Sequence, residues 1–152
     1  MRLSHLLCTR GILPEVNARD KWSFFRDLSR ILAEEVGIPV ERIEQALTER
    51  ERLGSTALGE GVALPHARIP LLSRLYVSVA RSPGGIEFDS PDGQPVYLIF
   101  TVLAPEEACE AYLRCLSYLA RLLKYGEFRE ALLSAHSREE MIEIIRRYER
   151  EF

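Results

Sequence analysis

The sequence has few cysteines, no long apolar run and no recognisable leader. Its three cysteines, Cys8, Cys109 and Cys115, are an odd number in no CxxC spacing, which argues against a disulfide framework and for a reducing compartment. No apolar stretch approaches the roughly 20 residues that cross a bilayer. The first residues, MRLSHLLCTRG, lack the apolar core and cleavage site of a signal peptide. We therefore expect a cytoplasmic protein that does not insert into membranes.

The chain also has no excess of positive charge and no metal-binding pattern. Its net charge of −3 disfavours a non-specific nucleic-acid binder, which needs a basic surface to displace counterions. The three histidines, His5, His66 and His136, lie far apart in the sequence and in no metal-ligand spacing. The sequence therefore predicts no metal, no cofactor and no nucleic-acid partner.

The length and the overall composition are typical of one globular domain. The chain has 152 residues, of which 47% are apolar and 28% charged, so residues 1–152 suffice for a single domain with one sizeable core. No internal repeat or linker divides the chain.

Helical spacing of apolar residues predicts helices in both outer thirds of the chain. The predicted helices are Asp20 to Val36, Pro39 to Leu53, Cys109 to Lys124, Glu127 to Ala135, and one from Ser137 to about Arg150. Asp20 should cap the first helix and Gly37 should end it, and Ser137 begins a capping-box pattern, SREE. The first helix should bury the stripe Trp22, Phe25, Leu28, Leu32 and Val36.

The middle of the chain has the patterns of strands. Extended runs are predicted at 61–64, 74–82 and 95–104, with a loop or hairpin between the last two. The run PVYLIFTVLA is apolar without a break, as in a strand that is covered on both faces. We therefore predict an α/β fold, in which a central mixed sheet is flanked by helices on both faces.

The stretch GVALPHARIP, residues 61 to 70, places a histidine directly after a proline at the end of a predicted strand. Pro65 has no backbone N–H, so we expect the strand ladder to stop there and His66 to be exposed at the rim of the sheet. A neutral imidazole nitrogen can attack phosphorus, and imidazole leaves readily, which suits a phosphoryl relay. The alternative is a hydrogen-bonded structural histidine.

A phosphoryl group also needs cations and hydrogen-bond donors around its oxygens. Arg50 and Arg68 could supply the charge, and Ser55 and Thr56 could supply hydroxyls. Each has a structural alternative. Arg50 could be a charge that favours the end of the second helix, Arg68 could be a rim cation for docking, and Ser55 and Thr56 could form only a turn.

These residues carry a resemblance to a known family. The segment RERLGSTALGEGVALPHAR, from Arg50 to Arg68, resembles the active-site signature of enzyme IIA of the sugar phosphotransferase system, in its fructose/mannitol branch, which includes the nitrogen-regulatory IIA proteins. GIEFDSPDGQPVYLIFTVLAPE resembles the family's strand-turn-strand segment, and LSYLARLL and FREALLSAHSREEMIEII resemble its closing helices. The resemblance covers nearly the whole chain and implies the fold of the mannitol/fructose-type IIA proteins.

The resemblance implies roles for two of the candidate residues. In the family, the histidine of the P-H motif accepts a phosphoryl group from the phosphocarrier protein HPr, and it corresponds to His66. The family's arginine corresponds to Arg50, which would help to hold the phosphate. The implied partners are HPr or its nitrogen-branch equivalent, and a IIB domain or a regulatory protein target.

One position departs from the family pattern. Many members carry a second histidine early in the helix after LAPE, where this chain has Tyr112. A tyrosine donates a hydrogen bond but carries no positive charge near pH 7. We therefore favour a regulatory IIA of the nitrogen-regulatory type. Tyr112 also shares an apolar stripe with Leu116 and Leu119, so the alternative is a core residue.

Two other functions stay open at this point. The first is a regulatory binding module that no longer takes phosphate and recognises a partner through the face around His66, which the replacement at Tyr112 motivates. The second is a sugar-specific, fructose/mannitol-type IIA that passes phosphate to a IIB on a separate chain.

Overall fold

A six-stranded mixed sheet lies between two groups of helices in the computed structural model, which describes residues 2–151 and their side chains through residue 150. A single 3-10 turn, Leu3–His5, precedes the first strand. The strands are β1 Leu7–Leu13, β2 Ala57–Gly59, β3 Val62–Ala63, β4 His66–Ile69, β5 Tyr76–Ile86 and β6 Val96–Pro105. The helices are α1 Lys21–Val36, α2 Val40–Arg52, α3 Cys109–Leu122, α4 Gly126–Ser134 and α5 Arg138–Glu151. None of these helices is long and apolar enough to cross a bilayer.

The strand order is β1-β5-β6-β3-β2, and β4 pairs with β6 beyond the end of β3. Strands β3 and β4 run parallel to β6, and β1 runs parallel to β5, whereas the β5–β6 and β2–β3 pairs are antiparallel. The predicted fold class, a mixed sheet with helices on both faces, is confirmed.

The central strand β6 separates two apolar clusters. Leu98, Phe100, Val102 and Ala104 pack in the cluster on the side of α3, α4 and α5. Ile99 and Leu103 belong to the cluster that contains the apolar faces of α1 and α2. Because successive side chains of a strand point to opposite faces, an unbroken apolar run is what a doubly covered strand requires. The predicted burial is therefore confirmed for residues 98–104, whereas Tyr97 near the start of the run is 37% exposed.

Helix α1 begins and ends as its sequence predicts. The Asp20 carboxylate accepts a hydrogen bond from the Ser23 N–H at 2.9 Å, and Gly37 ends the helix in the left-handed conformation at φ 73°. The predicted burial of Trp22 is wrong, because its side chain is 41% exposed. The buried face instead includes Phe24 and the charged Lys21, whose ammonium nitrogen lies 5.0 Å from the centre of the Trp22 ring.

Three strand assignments differ from the prediction. Strand β1, LCTRGIL, was not expected, because a glycine and an arginine interrupt its apolar alternation and its partner β5 is distant in sequence. Strand β5 continues through two glycines to Ile86, which pairs with Val96 after a register shift. Strand β2 is only three residues long, too short for a periodic signal.

The strand ladder does not stop at Pro65, which corrects the expectation that His66 lies free beyond the sheet. The Pro65 carbonyl accepts a hydrogen bond from the Val102 N–H at 2.9 Å, and His66 then pairs with Val102 as the first residue of β4. Proline removes a donor but keeps its acceptor, so the parallel pairing resumes at once. His66 is therefore half-buried rather than exposed.

The outer edge of β1 is covered by side chains. The Glu35 carboxylate accepts hydrogen bonds from the backbone N–H groups of Thr9 and Arg10, at 2.7 and 2.8 Å. The Arg138 guanidinium donates to the Thr9 carbonyl oxygen. These side chains occupy backbone groups that an edge strand otherwise leaves open.

We predict that Gly11→Ala destabilises the fold. A Cβ at Gly11 would lie 2.8 Å from the Cys8 Cβ and 2.9 Å from Cδ2 of Leu32, so β1 or α1 must shift. Overpacking of this kind lowers the free energy of unfolding by about 1–3 kcal/mol. Urea denaturation measures it, with Gly84→Ala as the control, because a Cβ at Gly84 meets no heavy atom within 4 Å. Equal midpoints for the two variants would contradict the close packing at Gly11.

Candidate functional site

An open cleft of about 1000 Å³ lies where the end of α2, the start of β4 and the start of α3 meet. Four of the predicted site residues line it together: Arg50 from α2, His66 and Arg68 from β4, and Tyr112 from α3. Residues that are distant in sequence thus converge on one concave surface, which is the usual form of a binding or catalytic site.

The ring of His66 is held by its own backbone. Its Nδ1 lies 2.7 Å from the Leu64 carbonyl oxygen. A carbonyl oxygen only accepts hydrogen bonds, so in the neutral ring Nδ1 carries the proton and Nε2 keeps the lone pair. The hydrogen bond therefore leaves Nε2 as the ring nitrogen of His66 with a free lone pair.

The surroundings of His66 keep its imidazole neutral at pH 7. Burial lowers the pKa of His66 most strongly, and the nearby Arg50 charge lowers it further. The hydrogen bond to Leu64 and the charge of Glu51 act in the opposite direction, but the pKa stays below its ordinary value of 6.5. At pH 7 the neutral form of the ring therefore predominates, which is the form that can act as a nucleophile.

Two arginines line the same cleft, Arg50 from α2 and Arg68 from β4. Nη1 of Arg50 donates to the Gly54 carbonyl oxygen at 3.0 Å, which anchors the side chain at the end of α2. Nη1 of Arg68 lies 3.0 Å from Sγ of Cys109, the first residue of α3. Each guanidinium has five N–H donors, so one such bond leaves others for an anion in the cleft.

Tyr112 lies beside His66, with ring centroids 5.9 Å apart and planes inclined at 61°. Its side chain belongs to the apolar cluster and is only 9% exposed, as the core interpretation predicts, and it also lines the cleft. Burial raises the pKa of Tyr112 to about 12, against the opposing charges of Arg50 and Arg68. The phenol therefore stays protonated at neutral pH and can donate a hydrogen bond.

Ser55 and Thr56 do not line the cleft, and their hydroxyls have other partners. The Ser55 hydroxyl donates to the Phe88 carbonyl oxygen at 2.7 Å. The Thr56 hydroxyl donates to the buried carboxylate of Glu51 at 2.6 Å. The expectation that these hydroxyls supply hydrogen bonds to a phosphate beside His66 finds no counterpart in this geometry, because both lie in the segment that leads from α2 into β2 and donate to Phe88 and Glu51 instead.

The cleft also contains residues that the sequence analysis missed. Arg42 lines it one and two helical turns before Ala46 and Arg50, and the exposed Leu53 and Leu113 stand at its sides. Arg42 lies eight residues before Arg50, which places both on one face of α2, and this helical spacing is a signal that could have identified Arg42. Among residues 2–151, no group of three or more histidine, cysteine or acidic side chains is arranged to hold a metal ion.

We predict that Arg50→Gln raises the pKa of His66, because the Arg50 charge lowers it. The rise should be partial, since burial is the larger cause of the low pKa and remains in the variant. NMR titration of the His66 ring measures the midpoint. Arg52→Gln is the matched control, because Arg52 is exposed on the same helix and does not line the cleft. An unchanged midpoint in Arg50→Gln would refute this electrostatic coupling.

Comparison with known proteins identifies the family. A sequence model of the family described as "Phosphoenolpyruvate-dependent sugar phosphotransferase system, EIIA 2" matches residues 6–148. A nitrogen regulatory protein of Bradyrhizobium diazoefficiens is 34% identical over 145 residues, which cover 95% of each chain.

Two solved structures have the same fold. The nitrogen regulatory protein IIA-Ntr from Neisseria meningitidis superposes with a TM-score of 0.88 at 34% identity, covering 93% of this chain and 97% of that one. The IIA mannitol structure from Escherichia coli has a TM-score of 0.75 at 22% identity, covering 91% and 97%. With residues 6–148 matched and relatives similar over almost their whole length, this chain belongs to the EIIA 2 family of the phosphoenolpyruvate-dependent sugar phosphotransferase system.

Proposed function

We propose that the protein relays a phosphoryl group through Nε2 of His66, accepting it from the phosphocarrier HPr or its nitrogen-branch equivalent. The observation that carries the proposal is the bond of 2.7 Å between Nδ1 of His66 and the Leu64 carbonyl, which fixes the ring and leaves Nε2 with its lone pair. The low pKa of the ring supports the same role, because the neutral form predominates at pH 7.

The transfer step needs no cofactor. The Nε2 lone pair of His66 forms a bond to phosphorus while the P–N bond of the donor's phosphohistidine breaks, and the departing imidazole takes the electron pair. During the transfer, the negative charge on the phosphoryl oxygens must be stabilised by cations held in fixed positions. Arg50 and Arg68 supply them, and the Tyr112 phenol supplies a neutral donor.

The walls of the cleft suit a protein as phosphoryl donor. Leu53 and Leu113 line it and are 84% and 64% exposed, and Leu71, which follows the lining residue Pro70, is 85% exposed. Large exposed apolar side chains around a charged centre are typical of a surface that binds another macromolecule. A folded carrier protein would cover them, whereas a small phosphate donor would not.

We further propose that phosphorylation of His66 serves regulation rather than sugar transport. Tyr112 occupies the position where many family members have a second histidine, and its pKa of about 12 keeps it from gaining or losing a proton near pH 7. Phosphoryl acceptance needs only a hydrogen-bond donor at this position. Onward transfer to a IIB domain should be slower, so the phosphorylated form should persist long enough to act as a signal to a protein target.

We predict that His66→Gln abolishes labelling. Phosphoenolpyruvate, enzyme I and HPr should together label the wild-type protein with an acid-labile phosphate, as expected of a phosphohistidine. His136→Gln is the control, because the side chain of His136 is 89% exposed and does not line the cleft. A label that persists in His66→Gln would assign the acceptor to another residue. A wild-type protein that takes no label but retains a stable partner would favour the phosphate-free binding module.

We predict that Tyr112→Phe slows acceptance while leaving the fold intact. Loss of a hydrogen bond to a charged group removes about 1.5–3 kcal/mol, so the labelling rate should fall about tenfold or more. Tyr118→Phe is the matched control, since it removes a buried phenol from the same helix, away from the cleft. Equal rates for the two variants would argue against a phosphate contact by Tyr112.

A further inference from the structure

A carboxylate lies buried directly behind the cleft. Glu51 follows Arg50 on α2, but its side chain is 1% exposed, whereas Arg50 lines the cleft. Its Oε2 accepts from the Thr56 N–H at 2.9 Å and lies 3.0 Å from Nζ of Lys21. Its Oε1 accepts from the Thr56 hydroxyl at 2.6 Å. A buried carboxylate is tolerated only when it is paired and hydrogen-bonded in this way.

The cation of this pair is also buried and is shared with a second acid. The Lys21 side chain is 4% exposed, and its Nζ lies 2.9 Å from Oδ2 of Asp89 as well as close to Glu51. The network therefore joins the start of α1, the end of α2, the segment at Thr56 that leads into β2, and the loop at Asp89.

Hydrogen bonds continue from this network to His66. The Thr56 carbonyl oxygen accepts from the Leu64 N–H at 3.0 Å. The Leu64 carbonyl oxygen is in turn the partner of Nδ1 of His66 at 2.7 Å. A path of backbone and side-chain bonds thus connects the buried carboxylate of Glu51 with the ring nitrogen that sets the orientation of the imidazole.

We infer that Glu51 is a positioning residue for phosphoryl acceptance: through Thr56 and Leu64 it holds the His66 ring, and its bonds to Lys21 and Thr56 hold the end of α2, from which Arg50 lines the cleft. The inference rests on the proposed function of His66. Residues that hold a reacting side chain in place can affect the rate nearly as much as that side chain itself, because small displacements of the reacting atoms slow the reaction.

The charge of Glu51 also acts directly on His66. It raises the pKa of the ring, against the lowering by burial and by Arg50. The other charged or titratable side chains that line the cleft with His66 are Arg42, Glu49, Arg68, Glu106 and Tyr112. None of these is altered when Glu51 alone is changed, so a change in the titration of His66 reports on Glu51.

The decisive variant is Glu51→Gln, which keeps the shape of the side chain at position 51 and removes its negative charge. At saturating phosphorylated HPr, we expect the labelling rate to fall about 10- to 100-fold, with little change in the donor concentration at half-maximal rate. The NMR titration midpoint of His66 should fall below that of the wild type. Ser78→Ala is the control, because it removes a buried hydroxyl that donates to the Gly11 carbonyl, and neither residue lines the cleft.

A second pair of variants keeps the test decisive if Glu51→Gln does not fold. Thr56→Val removes the hydroxyl but keeps the N–H bond, and should slow labelling about fivefold. Thr56→Ser restores the hydroxyl and should restore the rate. Wild-type rates in Thr56→Val, or equal slowing in Ser78→Ala and Glu51→Gln, would overturn the inference. Absence of any label on the wild-type protein would instead overturn the proposed function itself.

Discussion

The geometry of the cleft depends on the interruption of one strand at Leu64 and Pro65. Strand β6 pairs first with β3 and then with β4, and the two residues between them bring the Leu64 carbonyl beside the ring of His66. The Pro65 carbonyl still accepts from Val102, so the backbone is fixed on both sides of the break. At this break the Leu64 carbonyl bonds to a side chain, while the Pro65 carbonyl keeps the backbone paired with β6. The orientation of the imidazole follows from this constraint.

The electrostatics of the cleft combine two opposing demands. A cation near His66 suits a phosphoryl group, but the Arg50 charge also lowers the pKa of the ring and so reduces the basicity of its nitrogen. Glu51 opposes that effect from behind, where it is shielded from the anion by α2 and by its bonds to Lys21 and Thr56. The negative charge therefore acts on the ring without occupying the space in which a phosphate would bind.

The fold could be predicted largely from local patterns. The caps of α1 at Asp20 and Gly37 and the unbroken apolar run of β6 are local signals, and each gave the correct element. Strand β1 could not be predicted in this way, because its stability comes from parallel pairing with β5, about 70 positions away in the chain. The burial of Trp22 was predicted wrongly, because the spacing of apolar residues does not reveal that the neighbouring Lys21 is buried in its place.

The site was predictable in its residue types but not in its supporting contacts. The order of residues around His66 and the family pattern pointed to Arg50, Arg68 and Tyr112, which do line one cleft. The same reasoning placed Thr56 beside the phosphate, whereas its hydroxyl is bonded to Glu51. From the sequence alone, a short polar side chain that faces a ligand cannot be distinguished from one that bonds to a buried acid. Only the packing of α1 against α2 decides between the two.

The covered edge of β1 has a consequence for how the molecule associates. With Glu35 bound to the N–H groups of Thr9 and Arg10, and Arg138 bound to the Thr9 carbonyl, an incoming strand would have to displace two charged side chains before it could pair. Strand addition from a second chain is therefore disfavoured at this edge. Other proteins should bind this side of the molecule through side-chain contacts rather than by adding a strand to the sheet.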